Sequence, residues 1–173
     1  MLTTVAGAER LGGETVGMDV WQTVELPAPD GRVLRVTSTP ARHGPAHADR
    51  GPVIGFILAF ADRPDSAVYI SGDTVWYEGV AEAGRRYPVK VALLFAGAAK
   101  VAVVGPCHLT FTADETVEAA RTFADAAIVP LHVEGWAHFT ESRADIDRAF
   151  ADAGLANRLC WLDPGVPTDF PDR

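Results

Sequence analysis

The sequence predicts a single layered α/β domain, and three observations carry that prediction. Extended runs joined by turn residues fill the chain up to Ser71, helical and strand patterns alternate from Thr74 onward, and 48 % of the 173 residues are hydrophobic. The first two patterns define strands followed by helix-strand units, which pack as layers, and the third supplies enough apolar side chain for one core. No repeat, low-complexity block or linker divides residues 1–173, so one domain is expected.

Taken in order, Leu2-Thr3-Thr4 reads as the end of a strand entering a short helix over Ala6–Gly12, as if the chain began mid-fold. The clearest local signal is a hairpin. Gln22–Leu26 and Arg32–Thr39 flank Pro27-Ala28-Pro29-Asp30-Gly31, where Asp-Gly supplies the turn and Val33, Val36 and Thr37 favour extended backbone. Val53–Phe60 and Ala67–Ser71 form a second strand pair around Asp62-Arg63-Pro64-Asp65, whose proline continues neither element.

Tyr77–Tyr87 has helical composition and stops before Pro88, and Val89–Phe95 then reads as a strand buried on both faces. Thr112-Ala113-Asp114-Glu115 is a capping-box pattern that starts a helix running to about Asp125, with Val117, Ala120 and Ala124 facing inward. Ala127–Leu131 returns as a strand. Ser142 and Asp145 repeat the start signal for a helix over Arg143–Ala153 that buries Ile146, Ala149 and Phe150 and ends at Gly154. Arg158–Leu162 is expected as a last strand before a Pro/Asp-rich tail.

Composition excludes several function classes. A net charge of −8 repels phosphate backbones, and Arg85-Arg86 is the only adjacent basic pair, so nucleic acid is not an expected partner. The longest apolar tract, Val91–Cys107, is interrupted by Lys100, Gly97, Gly105 and Pro106, so no membrane span is expected. Cys107 and Cys160 match no zinc or redox spacing and read as reduced thiols. With no secretory pattern at the start, a cytoplasmic protein is expected.

Three residues at strand-to-loop junctions carry the chemistry: His43 in Thr39-Pro40-Ala41-Arg42-His43-Gly44-Pro45, Asp73 in Ser71-Gly72-Asp73-Thr74, and His132 in Val129-Pro130-Leu131-His132. Imidazole nitrogen and carboxylate oxygen are donors that Zn²⁺ selects, and a carboxylate can join two ions. A rigid sheet holds such loop residues in register. The alternative for Asp73 alone is a helix cap.

These three segments, with Ile70 before Asp73 and Val133-Glu134-Gly135-Trp136 after His132, resemble the metallo-β-lactamase superfamily, in its branch similar to the ascorbate-phosphate lactonase. The resemblance covers nearly the whole chain. It implies a truncated αββα sandwich, mainly the second half of that fold, because the family's His-x-His-x-Asp-His segment has no counterpart in these 173 residues. It further implies His43 as a ligand of the first metal, Asp73 as the bridge between two metals, and His132 as a ligand of the second. Family members use two zinc ions, or manganese or iron, to generate a hydroxide nucleophile and polarise a carbonyl or phosphoryl oxygen. Asp73 and His132 would then be the catalytic pair.

The expected activity is therefore metal-dependent hydrolysis of an ester, lactone or phosphoester on a small-molecule substrate. The other reading is a non-catalytic remnant or binding scaffold, since each ion would keep about two protein ligands against the three typical of catalytic zinc. Met1 is also open to reading as an internal methionine of a longer frame. Missing first strands leave a sheet edge and an apolar face that a homo-oligomer would cover.

Side chains near these motifs have two readings each. His47 is a loop residue or a substitute ligand, and His108 beside Cys107 is a loop histidine or half of a Cys-His pair. His138, Trp136 and Phe139 pack together or line a pocket, as do Trp76 and Tyr77. Glu134 lies on the surface or orients His132.

Overall fold

In the computed structural model, which describes residues 1–170, the chain forms a two-stranded parallel ribbon and a six-stranded mixed sheet. The ribbon comprises β1 (Leu2–Thr4) and β2 (Val16–Met18), joined by helix α1 (Val5–Leu11). The large sheet follows sequence order: β3 (Thr23–Pro27), β4 (Val33–Pro40), β5 (Ile54–Phe60), β6 (Ala67–Ile70), β7 (Val89–Phe95) and β8 (Ala127–Leu131). The pairs β3–β4, β4–β5 and β5–β6 are antiparallel, whereas β6–β7 and β7–β8 are parallel.

The switch to parallel pairing comes where helices begin to carry the connections. Helix α2 (Glu78–Arg86) links β6 to β7, and α3 (Ala113–Thr122) links β7 to β8, so each chain reversal is made outside the sheet. Helix α4 (Arg143–Asp152) follows β8. At α3 the Thr112 hydroxyl accepts from the Glu115 N–H at 3.1 Å, and the Glu115 carboxylate accepts from the Thr112 N–H at 3.1 Å. At α4 the Asp145 carboxylate accepts from both the N–H and the hydroxyl of Ser142. Both capping boxes read from the sequence are formed.

Residues paired across strands share a face, so the register sorts the sheet's two sides. Ile57, Tyr69, Ala92 and Ile128 lie in one row and face the helices, where Val80 and Ala83 of α2, Val117 and Ala120 of α3, and Ile146 and Phe150 of α4 close over them. Phe150 is fully buried, and truncating it to alanine costs about 3–5 kcal/mol, as for other core aromatics. The opposite face is apolar too. Leu58, Val68, Val91 and Ala127 form one of its rows, and Phe56, Ile70, Leu93 and Val129 the next. The ribbon with α1 meets this side near Phe56 and Phe95, the C-terminal segment meets it near Val68, Val91 and Ala127, and Ala127 and Val129 are buried there.

Two sequence expectations need correction, and one strand was missed. The segment expected as a strand over Arg158–Leu162 makes a single parallel bridge, Leu159 to Ile128, with the Cys160 N–H donating to the Ile128 carbonyl at 2.8 Å. Its ends are pulled away from the sheet: the Arg158 guanidinium donates to the carbonyls of Ala120, Phe123 and Ala126, and the Trp161 indole donates to Asp147 on α4. Helix α3 stops at Thr122 rather than near Asp125, because Phe123 turns into the core and leaves Ala124 exposed. The strand β2 was not legible, since Thr15-Val16-Gly17-Met18 is too short for an alternation pattern. Both cysteines are free, and among the described residues no helix is long and apolar enough to cross a membrane.

Candidate metal centre

His43, Asp73 and His132 converge at the edge where β4, β6 and β8 end. Asp73 stands between the two imidazoles with one oxygen toward each: Oδ2 is 3.7 Å from His43 Nε2, and Oδ1 is 3.7 Å from His132 Nδ1. Each of the three side chains is between a quarter and about a third exposed, so the cluster opens to solvent on one side.

Local backbone chemistry explains the convergence. After β6 the Ser71 N–H pairs with the Leu93 carbonyl and the Ser71 hydroxyl accepts from the Phe95 N–H, which fastens the turn to β7. Gly72 has φ of 60°, a left-handed conformation that glycine adopts without steric cost, and it aims Asp73 off the sheet. Thr74 is fully buried; its hydroxyl accepts from the Arg42 N–H at 2.9 Å and donates to the Val75 carbonyl at 2.9 Å. The Val75 N–H donates to the Arg42 carbonyl at 2.9 Å. These bonds tie the loop before His43 to the loop after Asp73. The cap of α2 is Tyr77, so the helix-cap reading of Asp73 does not hold.

His132 is held by strain and packing together. Its φ of 62° is left-handed, at a cost of about 1–3 kcal/mol for a residue other than glycine, and strain of this kind concentrates at functional sites. Phe139 meets its ring edge-on at 4.5 Å, and Phe95 lies 5.5 Å away. Gly97 permits the fit: a Cβ there would lie 2.5 Å from the His132 carbonyl oxygen. The contribution of Gly97, Thr74 and the two phenylalanines was missed in the sequence, where Ala96-Gly97-Ala98 reads only as a loop after a strand.

Burial holds the His132 imidazole below its usual pKa; the Asp73 carboxylate opposes this, while His138 and His43 reinforce it. A neutral imidazole with a free nitrogen results, the form that ligates metal. Its Nδ1 is buried with no hydrogen-bond partner, an orphan in the direction of Asp73. At 3.7 Å the two atoms are too far apart to bond directly, whereas two donors of one tetrahedral zinc stand about 3.4 Å apart. The donor types and spacing therefore fit a cation. Among the described residues, no three His, Cys, Asp or Glu side chains surround one point, so Asp73 offers each candidate ion one oxygen and one imidazole partner.

The remaining candidates sort cleanly. His47 is exposed and its Nε2 lies 3.9 Å from Cys107 Sγ, a contact directed to the thiol. His108 Nε2 is 3.0 Å from Glu115 Oε1, and that hydrogen bond raises its pKa against the opposing effect of burial. His138 meets Phe139 edge-on at 4.8 Å and lies tilted 5.8 Å from Trp136, which is itself exposed. Trp76 and Tyr77 pack on the core; Arg42 lies 4.5 Å over the Tyr77 ring, and burial pushes that phenol up to about 12. Glu134 is exposed.

Fold and site together define an α/β domain with an acid and two histidines at the C-terminal edge of its sheet. The chain belongs to the metallo-β-lactamase superfamily: the family model for a beta-lactamase superfamily domain matches residues 2–133. Among curated relatives, a UPF0173 metal-dependent hydrolase of Pyrobaculum calidifontis is 31 % identical over 152 residues, covering 88 % of this chain and 59 % of the relative. Another from Caldivirga maquilingensis is 29 % identical over 157 residues, covering 91 % of this chain and 61 % of the relative. The chain thus spans about three-fifths of the length of the curated relatives it matches.

Solved structures agree in fold. An isothiocyanate hydrolase from Delia radicum gut bacteria superposes with a TM-score of 0.76 at 21 % identity, over 95 % of this chain and 63 % of that one. Igni18, a metallo hydrolase from Ignicoccus hospitalis, gives 0.71 at 24 % identity, over 97 % of this chain and 66 % of that one.

Proposed function

We propose that the polypeptide acts as a metal-dependent hydrolase on a small molecule bearing an ester, lactone or phosphoester, with His43, Asp73 and His132 as metal ligands. The observation that carries this reading is the Asp73 carboxylate with an imidazole 3.7 Å from each oxygen, one of them presenting a buried nitrogen without a partner. That the curated relatives are named metal-dependent hydrolases supports it.

These side chains would hold a divalent cation, zinc first and manganese or iron after it, which would supply Lewis acidity for attack by water on a carbonyl or phosphoryl centre. The chain's own residues do the rest. Asp73, held by the Gly72 turn and the Thr74 anchor, would hold the cation through its carboxylate, one oxygen of which faces each imidazole. His132, flanked by Phe95 and Phe139, would add its Nδ1, which is buried without a hydrogen-bond partner and lies toward Asp73.

Purification without chelator, followed by metal analysis and assay of a phosphodiester and a lactone with Zn²⁺ or Mn²⁺, tests the proposal. Bound metal with turnover that His43→Ala abolishes is expected. A chain that takes up no metal at micromolar supply overturns it in favour of the scaffold reading, for which the observation is the count of two donors per cation.

A further inference from the structure

Arg42 stands next to the candidate ligand His43 but serves a different cleft. Asp73 lines the cleft of about 520 Å³ between α1 and the ends of β5 and β7, whereas the Arg42 guanidinium lies over the ring of Tyr77, the cap of α2. There it opens onto a second cleft of about 190 Å³, bounded by Val75, Trp76, Cys107, His108 and, from the first turn of α3, Glu115. The two clefts share no residue.

Arg42 is a half-buried cation without an anion. Its Nε is buried with no hydrogen-bond partner, and among the described residues its guanidinium meets no carboxylate or carbonyl. The surrounding acids are all engaged. Glu115 gives one oxygen to His108 and the other to the Thr112 N–H, Glu141 accepts from the Ala113 N–H, Glu82 pairs with Arg86, and Asp49 accepts from the Gly51 N–H. A guanidinium buried in this way is costly unless an acceptor pairs with it, and its planar fork matches two oxygens of one anion. Sites for drug-sized ligands run from about 300 to 1,000 Å³, so this smaller cleft suits a single small group.

We propose that the cleft binds an oxyanion, a phosphate or carboxylate group, held by the Arg42 guanidinium with His108 beside it. The Arg42 main chain carries both bonds that fasten the two loops of the candidate metal centre: its N–H donates to Thr74 Oγ1, and its carbonyl accepts from the Val75 N–H. An anion on its side chain therefore braces the approach of His43 to Asp73. The site goes beyond the hydrolytic reading and stands independently of it, because anion binding here needs no metal.

Thermal denaturation of the metal-free full chain in rising inorganic phosphate, with chloride at matched ionic strength as the reference, tests it. At about ten times its Kd, phosphate should raise Tm by about 3–6 °C, and Arg42→Gln should abolish that saturable rise. A parallel titration with acetate separates the two sources, since the tighter ligand names the group. Because Arg42→Gln can loosen the loop by itself, the place of binding is also read on the unaltered chain. Cys107 lines this cleft and Cys160 lies outside it, so the bound anion should slow alkylation of Cys107 by iodoacetamide several-fold and leave Cys160 unchanged. No saturable rise beyond chloride with either anion, binding that folded Arg42→Gln retains, or an unaltered rate of Cys107 alkylation at saturation overturns the proposal.

Discussion

Replacing Thr74 by valine keeps the side-chain shape and removes the hydroxyl that joins two loops of the candidate metal centre. Thr74 is fully buried, so water cannot take over its bonds: the Arg42 N–H loses its acceptor and the Val75 carbonyl loses a donor. An orphaned buried amide costs about 1–3 kcal/mol, and the second lost bond adds about 1 kcal/mol, so about 2–4 kcal/mol is expected. For a domain of this size each kcal/mol moves the melting temperature by about 2–4 °C, so Tm should fall by about 4–16 °C in chelator-containing buffer. Thr74→Ser, which keeps the hydroxyl, should lose much less. Because the same bonds place His43 beside Asp73, calorimetric titration of Thr74→Val with Zn²⁺ should show about tenfold weaker binding. A Tm within about 1 °C of the parent would refute the reasoning, since an anchor worth the stated energy cannot be removed so quietly.

Gly97→Ala sets a methyl 2.5 Å from the His132 carbonyl and forces a left-handed φ of 86° on alanine, so thermal denaturation should register a loss of about 2–4 kcal/mol together with weaker metal uptake. The His108–Glu115 pair should make stability depend on pH. Its folded pKa is raised, so the stabilisation is complete below the unfolded value near 6.5 and disappears as pH climbs through the higher folded value. Melting curves between about pH 5.5 and 8 should show that decline in the parent and a flatter profile in Glu115→Gln, which retains an oxygen for the Thr112 cap. Arg158→Lys should cost about 2–4 kcal/mol by chemical denaturation, because one ammonium cannot reach the carbonyls of Ala120, Phe123 and Ala126 together.

The hairpin at Asp30-Gly31, the two capping boxes and the run Val89–Phe95 were legible because each is a local pattern a few residues long, and each formed where the pattern put it. The segment Arg158–Leu162 misled because its strand-like composition says nothing of the carbonyls that seize Arg158 at the end of α3, far away in sequence. Its backbone follows those contacts and not its own propensity.

By itself the sequence determined the layered α/β class, the family resemblance and the three residue types at loop junctions, since periodicity, turn chemistry and motif are short-range properties. Only the tertiary structure decided that His43, Asp73 and His132 meet with 3.7 Å between each imidazole and its carboxylate oxygen, that Thr74 and Gly97 make the meeting geometrically feasible, and that His132 keeps an unpaired nitrogen. Those facts arise from strands brought side by side across ninety residues of chain, and distance in space between remote positions is written in the packing of the whole core, not in any one stretch of residues.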